Sequence, residues 1–507
     1  EGKNSSTPLM VDGVLYVTAG SRRNVVSLDA GTGEMLWMWR MDEGQRARSA
    51  PRANSGRGVA YWSDGQGDDR IYVITPAYHM VALDAHTGRE IESFGTNGVV
   101  DLRLELDRPV DLIEDVIGSS SPPVIARDVI VVGAALAVGS RPPSMENVPG
   151  HVRGYDVRTG ERKWIFHTIP QEGEYGNETW EDGSWEYTGN AAVWPPFTVD
   201  VELGYVYLPV EDATGDYYGG HRPGDNLFSS SLVALNVETG ERIWHFQMVH
   251  HDIWDYDAPT APILTDITVD GRDIRAVAQI TKQAFLYVFD RVTGEPVWPI
   301  EERPVPQGNV PGEWYSPTQP FPTKPAPFDR QGITVDDLID FTPELRAEAE
   351  ARVANVTLGP LFTPPSTVDD DGVGGTMMMP SQTGGANWEG GAFDPETGVI
   401  YIASKTDGGT LTLGPSNASD MNYVQSFGGG GRGRGGGRGG RGGAAARPQR
   451  SGLPLIKPPW GRITAIDLNS GDHLWMVPNG DTPDCVKNHP ALSGLDIPRT
   501  GKPERSG

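Results

Sequence analysis

The sequence predicts an all-β fold built from repeated sheets, on three observations. An Asp or Asn, two variable residues, Thr or Ser, Gly, and then a Trp eight residues after the start recur five times, beginning at Asp29, Asp156, Asn236, Asp290 and Asp467 and ending at Trp37, Trp164, Trp244, Trp298 and Trp475. An apolar run precedes each copy, as in Val26-Ser27-Leu28 and Leu286-Tyr287-Val288-Phe289. The 65 Gly and 42 Pro among 507 residues suit many short strands joined by turns and leave little room for helix. Each copy reads as a strand, a tight turn in which Gly supplies positive φ, and a second strand carrying the Trp. The Asp and Thr side chains bond the turn backbone. One such hairpin cannot bury its own faces, so repetition at long period points to a radial or stacked arrangement with each Trp docked between neighbouring sheets.

Taken along the chain, a sixth turn at Asp84-Ala85-His86-Thr87-Gly88 carries Glu92 where the Trp belongs. Trp194, in Gly189-Asn190-Ala191-Ala192-Val193-Trp194-Pro195-Pro196, lies outside the repeat register. The two Pro that follow fix its backbone, which makes a rigid floor for a planar ligand. The run His250-His251-Asp252-Ile253-Trp254-Asp255-Tyr256-Asp257 gathers three Asp, two His and an aromatic pair. Asp255 beside Trp254 is a carboxylate in a partly apolar wall, the setting that tunes a general base. Adjacent His side chains diverge on an extended chain, so His250 and His251 read as hydrogen-bonding supports ahead of metal ligands.

Lys282 precedes an apolar strand that must be internal to a sheet, which puts its ammonium near a strand end; a solvated Lys is the plainer reading. Thr342 and Pro343 open one helical segment, as N-cap and first helical residue. In Gly384-Gly385-Ala386-Asn387-Trp388-Glu389-Gly390-Gly391, flanking glycines let the backbone approach a ligand closely. Residues 427–450, with Arg432, Arg434, Arg438 and Arg441 among glycines, read as a disordered loop insertion within a single domain spanning 1–507.

The net charge of −26 argues against nucleic acid as a partner of the body of the fold. No apolar run approaches the ~20 residues that a membrane helix requires. The chain opens at Glu1 without Met, which suggests a processed or clipped start, and the lone Cys485 excludes an internal disulfide and a Cys-x-x-Cys-His haem attachment.

The Trp-bearing repeats, His250-His251-Asp252-Ile253-Trp254-Asp255, Thr281-Lys282, Arg222-Pro223-Gly224-Asp225-Asn226, Phe362-Thr363-Pro364-Pro365-Ser366 and the Gly-Gly-Ala-Asn-Trp segment together resemble the pyrroloquinoline-quinone-dependent dehydrogenases. The nearest branch is the periplasmic domain of the membrane-bound glucose dehydrogenase and its soluble relatives. The resemblance implies an eight-bladed quinoprotein β-propeller, incomplete at both termini, that oxidises an alcohol, polyol or sugar hydroxyl by hydride transfer to pyrroloquinoline quinone. It implies Asp255 as the base and Lys282 as donor to the quinone oxygens, with both converging on Trp194 beneath the ring. It further implies cofactor contacts from Ser120, Trp62, Asn387, Trp388 and Ser404, a calcium ion, a periplasmic location, and an external electron acceptor such as a quinone or cytochrome c.

Three departures stand against that pattern. Val138 occupies the place of an acidic calcium ligand, with Asp212 replacing a family Asn as the remaining metal candidate. Ser404 replaces an Asn near the quinone, and Trp62 stands where the glucose enzyme has His, which weakens an inference of glucose. The alternative from another class is a non-catalytic envelope scaffold built from the same repeats. Such a scaffold has no reason to keep Trp194, Asp255 and Lys282 at the family spacing.

Overall fold

The computed structural model describes residues 6–52, 57–113, 116–137, 139–369, 374–426 and 452–502. These fall into two compact units, the first Glu1–Val138, Glu146–Thr214 and Asn226–Gln247, the second Gly139–Met145, Gly215–Asp225 and Met248–Gly507. The predicted 427–450 insertion and Val138 lie outside the described residues.

The first unit holds four antiparallel sheets of four strands. They run Leu9–Val11, Val14–Ala19, Asn24–Asp29 and Met35–Trp39; then Ala60–Ser63, Asp69–Ile74, His79–Asp84 and Val99–Asp101. The third is Val124–Ala126, Val129–Val132, Val152–Asp156 and Arg162–Phe166, and the fourth Thr198–Asp200, Tyr205–Pro209, Ser231–Asn236 and Arg242–Gln247. Middle strands such as Ser231–Asn236 are buried over nearly their whole length, because both sheet faces are covered.

The repeated turn forms as its residues dictate. Asp29 Oδ1 accepts from the backbone N–H groups of Gly31 and Thr32 and from Thr32 Oγ1, at 3.0, 2.7 and 2.8 Å. The same bonds recur at Asp84 and Asp156. Gly33, Gly88, Gly160, Gly240, Gly294 and Gly471 all have positive φ, the region that a side chain disfavours. In four of the five repeats a one-residue bulge after the turn then sets the Trp opposite a small residue, Ser27 to Trp37, Gly154 to Trp164, Ala234 to Trp244 and Ala465 to Trp475. With nothing bulky beneath it, the indole reaches the next sheet. Trp37 Nε1 donates to Ala85 O at 3.0 Å and Trp164 Nε1 to Val237 O at 2.9 Å. The turn glycine of the receiving sheet has no room for a Cβ, which at Gly240 would lie 2.6 Å from the Trp164 ring. At the copy lacking Trp, Phe94 takes the place of the ring against Gly160.

The second unit departs from the uniform four-stranded pattern of the first. Its first sheet has three strands, Ile263–Val269, Arg272–Ile280 and Leu286–Asp290, and the fourth shrinks to a bridge between Phe289 and Pro296. Pro296 and Pro299 flank Trp298 and lack the N–H groups a ladder needs. Even so, Trp298 packs on Gly471. A hairpin of Ile300–Pro304 and Thr318–Pro322 follows, then a small sheet in which Ser366–Thr367 pairs parallel with Gly409–Gly414. The last sheet returns to the regular form, Gly391–Asp394, Val399–Lys405, Gly461–Asp467 and Asp472–Pro478. Its Trp475 remains 44% exposed, unlike Trp164 at 7%. The expected helix is present as Pro343–Val353, with Thr342 Oγ1 accepting from Leu345 N.

Candidate active site

The 250–257 segment of the second unit is bent by its own carboxylate. Asp252 Oδ1 accepts from Trp254 N at 2.9 Å and Oδ2 from Tyr256 N at 3.0 Å, which turns the backbone through Asp255 at φ 58°. Asp tolerates the left-handed region better than most residues, yet such a conformation is kept only where its surroundings fix it. Here the flanking aromatics do so. Trp254, Tyr256 and Phe362 are buried against one another, and Trp254 Nε1 donates to Thr363 O. The wall expected beside Asp255 is therefore real, and the Phe362-Thr363 motif is part of it.

Lys282 sits in the tight turn that joins two buried strands, where Thr281 N donates to Phe285 O and Ala284 adopts φ 72°. Only 6% of Lys282 is exposed, so the solvated reading is overturned: a buried ammonium needs partners, and it has them. Nζ bonds Asp255 Oδ1 at 2.5 Å and also meets Asp257. The glycine-rich 384–391 segment approaches this lysine closely. A Cβ on Gly384 would stand 2.7 Å from Lys282 Cγ, and Gly385 N donates to Lys282 O at 2.8 Å.

Carboxylates outnumber the ammonium. Burial pushes the Asp255 carboxyl well above its usual range; Lys282 opposes that push, and Asp216 and Asp257 add to it. The Asp255 side chain keeps 24% of its surface open, so solvent moderates the rise. Burial likewise raises Asp216 to about 6, again against Lys282 and with Asp257 and Asp252 reinforcing it.

His250 and His251 diverge and act as supports. His250 Nε2 meets Glu302 Oε1 at 3.0 Å. His251 is fully buried, with Nδ1 2.8 Å from Gly224 O and Nε2 3.0 Å from Glu313 Oε1. Among the other predicted residues of this unit, Ser404 Oγ donates to buried Asp329, whose second oxygen accepts from Thr406 Oγ1 at 2.6 Å. Asn387 braces its own loop through Thr383 O and Trp388 N, and Trp388 is 39% exposed. Asp329 was missed by sequence reasoning because nothing in Phe328-Asp329-Arg330 marks it.

Trp194, Ser120, Trp62 and Asp212 belong to the first unit. Trp194 is buried, and the guanidinium groups of Arg52 and Arg57 lie 4.9 and 5.5 Å from its ring centroid. Ser120 Oγ and Ser121 Oγ both donate to Trp194 O, at 2.8 and 2.7 Å, and Arg57 Nη1 donates to Ser120 O at 3.0 Å. Neither Arg was predicted; no motif surrounds them. Trp62 Nε1 donates to Asp128 Oδ1, with Arg158 4.7 Å from its ring. Asp212 is buried, and its carbonyl accepts from Ala191 N and Asn190 Nδ2. A separate cavity of about 710 Å³ in the second unit, lined in part by Trp460, Cys485 and Lys502, contains none of the predicted site residues.

The family profile described as PQQ: Glucose/ethanol/alcohol dehydrogenase, beta-propeller domain, matches residues 1–507, and the chain belongs to that family. It is 32% identical over 502 residues to the glycerol dehydrogenase large subunit of Gluconobacter oxydans (strain 621H), covering 94% of this chain and 64% of the relative. It is 30% identical over 508 residues to the quinoprotein glucose dehydrogenase of Escherichia coli (strain K12), covering 95% of this chain and 60% of the relative. The fold is similar to that of the quinohemoprotein alcohol dehydrogenase ADHIIG from Pseudomonas putida HK5, with TM-score 0.63 and 23% identity over 94% of this chain and 60% of that one. The chain thus spans 60–64% of the length of these proteins. The fold is the mostly-sheet β-propeller of pyrroloquinoline-quinone dehydrogenases.

The residues present fit that cofactor chemically. Its carboxylates and quinone oxygens call for cationic donors beside a flat apolar surface; Arg52 and Arg57 over Trp194 are such a set, and so is the Lys282 ammonium. The acid excess around Lys282, with Asp216 Oδ1 buried and without a hydrogen-bond partner among the described residues, also fits a hard cation that prefers oxygen. No helix among the described residues is long and apolar enough to cross a membrane.

Proposed function

We propose that the protein is a quinoprotein oxidoreductase that oxidises the hydroxyl of an alcohol, polyol or sugar, with Asp255 as general base. The observation that carries this reading is the Asp255–Lys282 pair, in which a carboxylate held at φ 58° keeps one oxygen on a buried ammonium and part of its surface open. Pyrroloquinoline quinone, when bound, supplies the hydride acceptor. Asp255 takes the hydroxyl proton on Oδ2, the oxygen that Lys282 leaves available. Lys282 favours the ionised form of Asp255 against burial, and its ammonium is read as donor to the quinone oxygens, placed where negative charge develops. Trp194 is read as the aromatic floor for the ring, with Arg52 and Arg57 as donors to its acid groups. Ser120 fixes Trp194 through its carbonyl; Ser404, Asn387, Trp388 and Trp62 complete the cofactor surroundings, and Asp212 is the calcium candidate.

The same reading takes residues 1–507 as one eight-bladed propeller domain in the periplasm, delivering electrons to a quinone or cytochrome. The named activities of its relatives, glycerol and glucose dehydrogenase, support it over a non-catalytic scaffold. The test is to add the quinone and calcium to purified protein and screen alcohols, polyols and sugars with a dye acceptor. Turnover on a hydroxyl substrate is expected. No turnover with the quinone demonstrably bound sinks the reading.

A further inference from the structure

We infer that Tyr217 is the second contact of the reacting oxygen, its phenol donating to the same substrate hydroxyl whose proton Asp255 receives. This rests on the oxidoreductase reading above. Tyr217 is buried, and its Oη lies 3.5 Å from Asp255 Oδ2, while Asp255 Oδ1 is engaged by Lys282. A gap of 3.5 Å is too long for a strong hydrogen bond but shorter than two in series. An oxygen about 2.8 Å from each partner therefore fits as the apex of a triangle. The open part of Asp255 gives that oxygen a way in.

The two partners are held in register by buried charge. Arg222, with no exposed surface, donates from Nη2 to Gly215 O at 3.0 Å and to Asp252 O at 2.6 Å, tying the chain just before Tyr217 to the chain just before Asp255. A second brace runs from Gly219 N to Glu313 Oε2 at 2.8 Å and from Glu313 Oε1 to His251 Nε2 at 3.0 Å. Gly219 is required there, since a Cβ would stand 2.6 Å from His251 Nε2. Two segments remote in sequence are thus fixed to each other on both sides of the phenol–carboxylate pair, as a site that orients one atom requires.

In the reaction the O–H proton passes to Asp255, the C–H hydrogen leaves with its bonding pair to the quinone, and the carbon–oxygen bond becomes a carbonyl. Negative charge rises on the oxygen as its proton leaves, and Tyr217 Oη–H donates a hydrogen bond to it, which phenylalanine cannot do. The Tyr217→Phe protein loaded with quinone should lose roughly 10- to 100-fold in kcat/KM, the value of one hydrogen bond to a developing charge. The loss should be similar for a primary alcohol and a polyol. Calorimetry on protein carrying the reduced cofactor, which cannot turn over, should show weaker polyol binding, while quinone affinity from tryptophan quenching and the thermal midpoint stay as in wild type. Wild-type kinetics in the variant overturn the inference, as does a loss confined to vicinal polyols, which would put the phenol on a neighbouring hydroxyl. A fall in quinone affinity that matches the lost activity also overturns it. In each of these cases the wild type turns over; a wild type inactive on every hydroxyl compound marks failure of the underlying reading instead.

Discussion

Asp255 is pulled in opposite directions by burial and by Lys282, and its use as a base depends on which prevails at working pH. Asp255→Asn keeps the shape and cannot accept a proton. Activity should fall ~10²–10⁴-fold with quinone binding retained, measured by steady-state kinetics beside a fluorescence titration. Asp252 is unsuited as a substitute, because its oxygens bind Trp254 N and Tyr256 N. Asp216 bears on stability. Its pKa is about 6 when folded, above the ordinary 3.8. Between those values the folded chain holds a proton that the unfolded chain has released, so stability from this group falls as pH rises from about 4 to 6 and is then level. Asp216→Asn should accordingly stabilise the metal-free protein at pH 7 by up to about 3 kcal/mol and give no gain at pH 4. Denaturant titrations at the two pH values check this, and an equal gain at both would remove ionisation as the cause.

The repeated element shows how far local sequence reaches. The Asp–Thr bonds, positive-φ Gly and the Trp position were all legible, because the turn closes within a few residues and consults nothing distant. The loss of the fourth strand at Trp298 was not foreseen, although Pro296 and Pro299 lie on either side of that Trp and weaken a ladder there. Trp164→Ala should cost about 3–5 kcal/mol, the range for removing a large buried aromatic, and a drop in the urea midpoint reports it. Gly384→Ala tests a different dependence. Its φ of 74° and a Cβ 2.7 Å from Lys282 Cγ force the lysine to shift, so turnover should fall at least ~10-fold while far-UV circular dichroism stays native. Unchanged turnover would mean that the lysine accommodates the methyl.

Across the whole molecule, net charge and cofactor act together. A chain of net charge −26 repels itself, and a cofactor and cation that bind only the folded state raise stability by mass action. Quinone and calcium, each at about 100 times its dissociation constant, should contribute ~2.7 kcal/mol apiece, read as a rise in thermal midpoint that neither Asp255→Asn nor dye acceptor alters. No rise would argue that the acid excess around Lys282 binds no ligand.

By itself the sequence determined the class of fold, the turn chemistry and the helix start at Thr342, and its resemblance to a known family implied that Asp255 and Lys282 serve one site. Those features rest on hydrogen bonds within a few residues or on patterns with fixed spacing. Only the tertiary structure decided that Arg52 and Arg57 cover Trp194, that Asp329 receives Ser404, that Gly384 faces Lys282, and that Tyr217 stands 3.5 Å from the base. An arginine or tyrosine in a loop looks like any other until strands far apart in sequence bring it against a buried charge, and its burial and partners are properties of that packing.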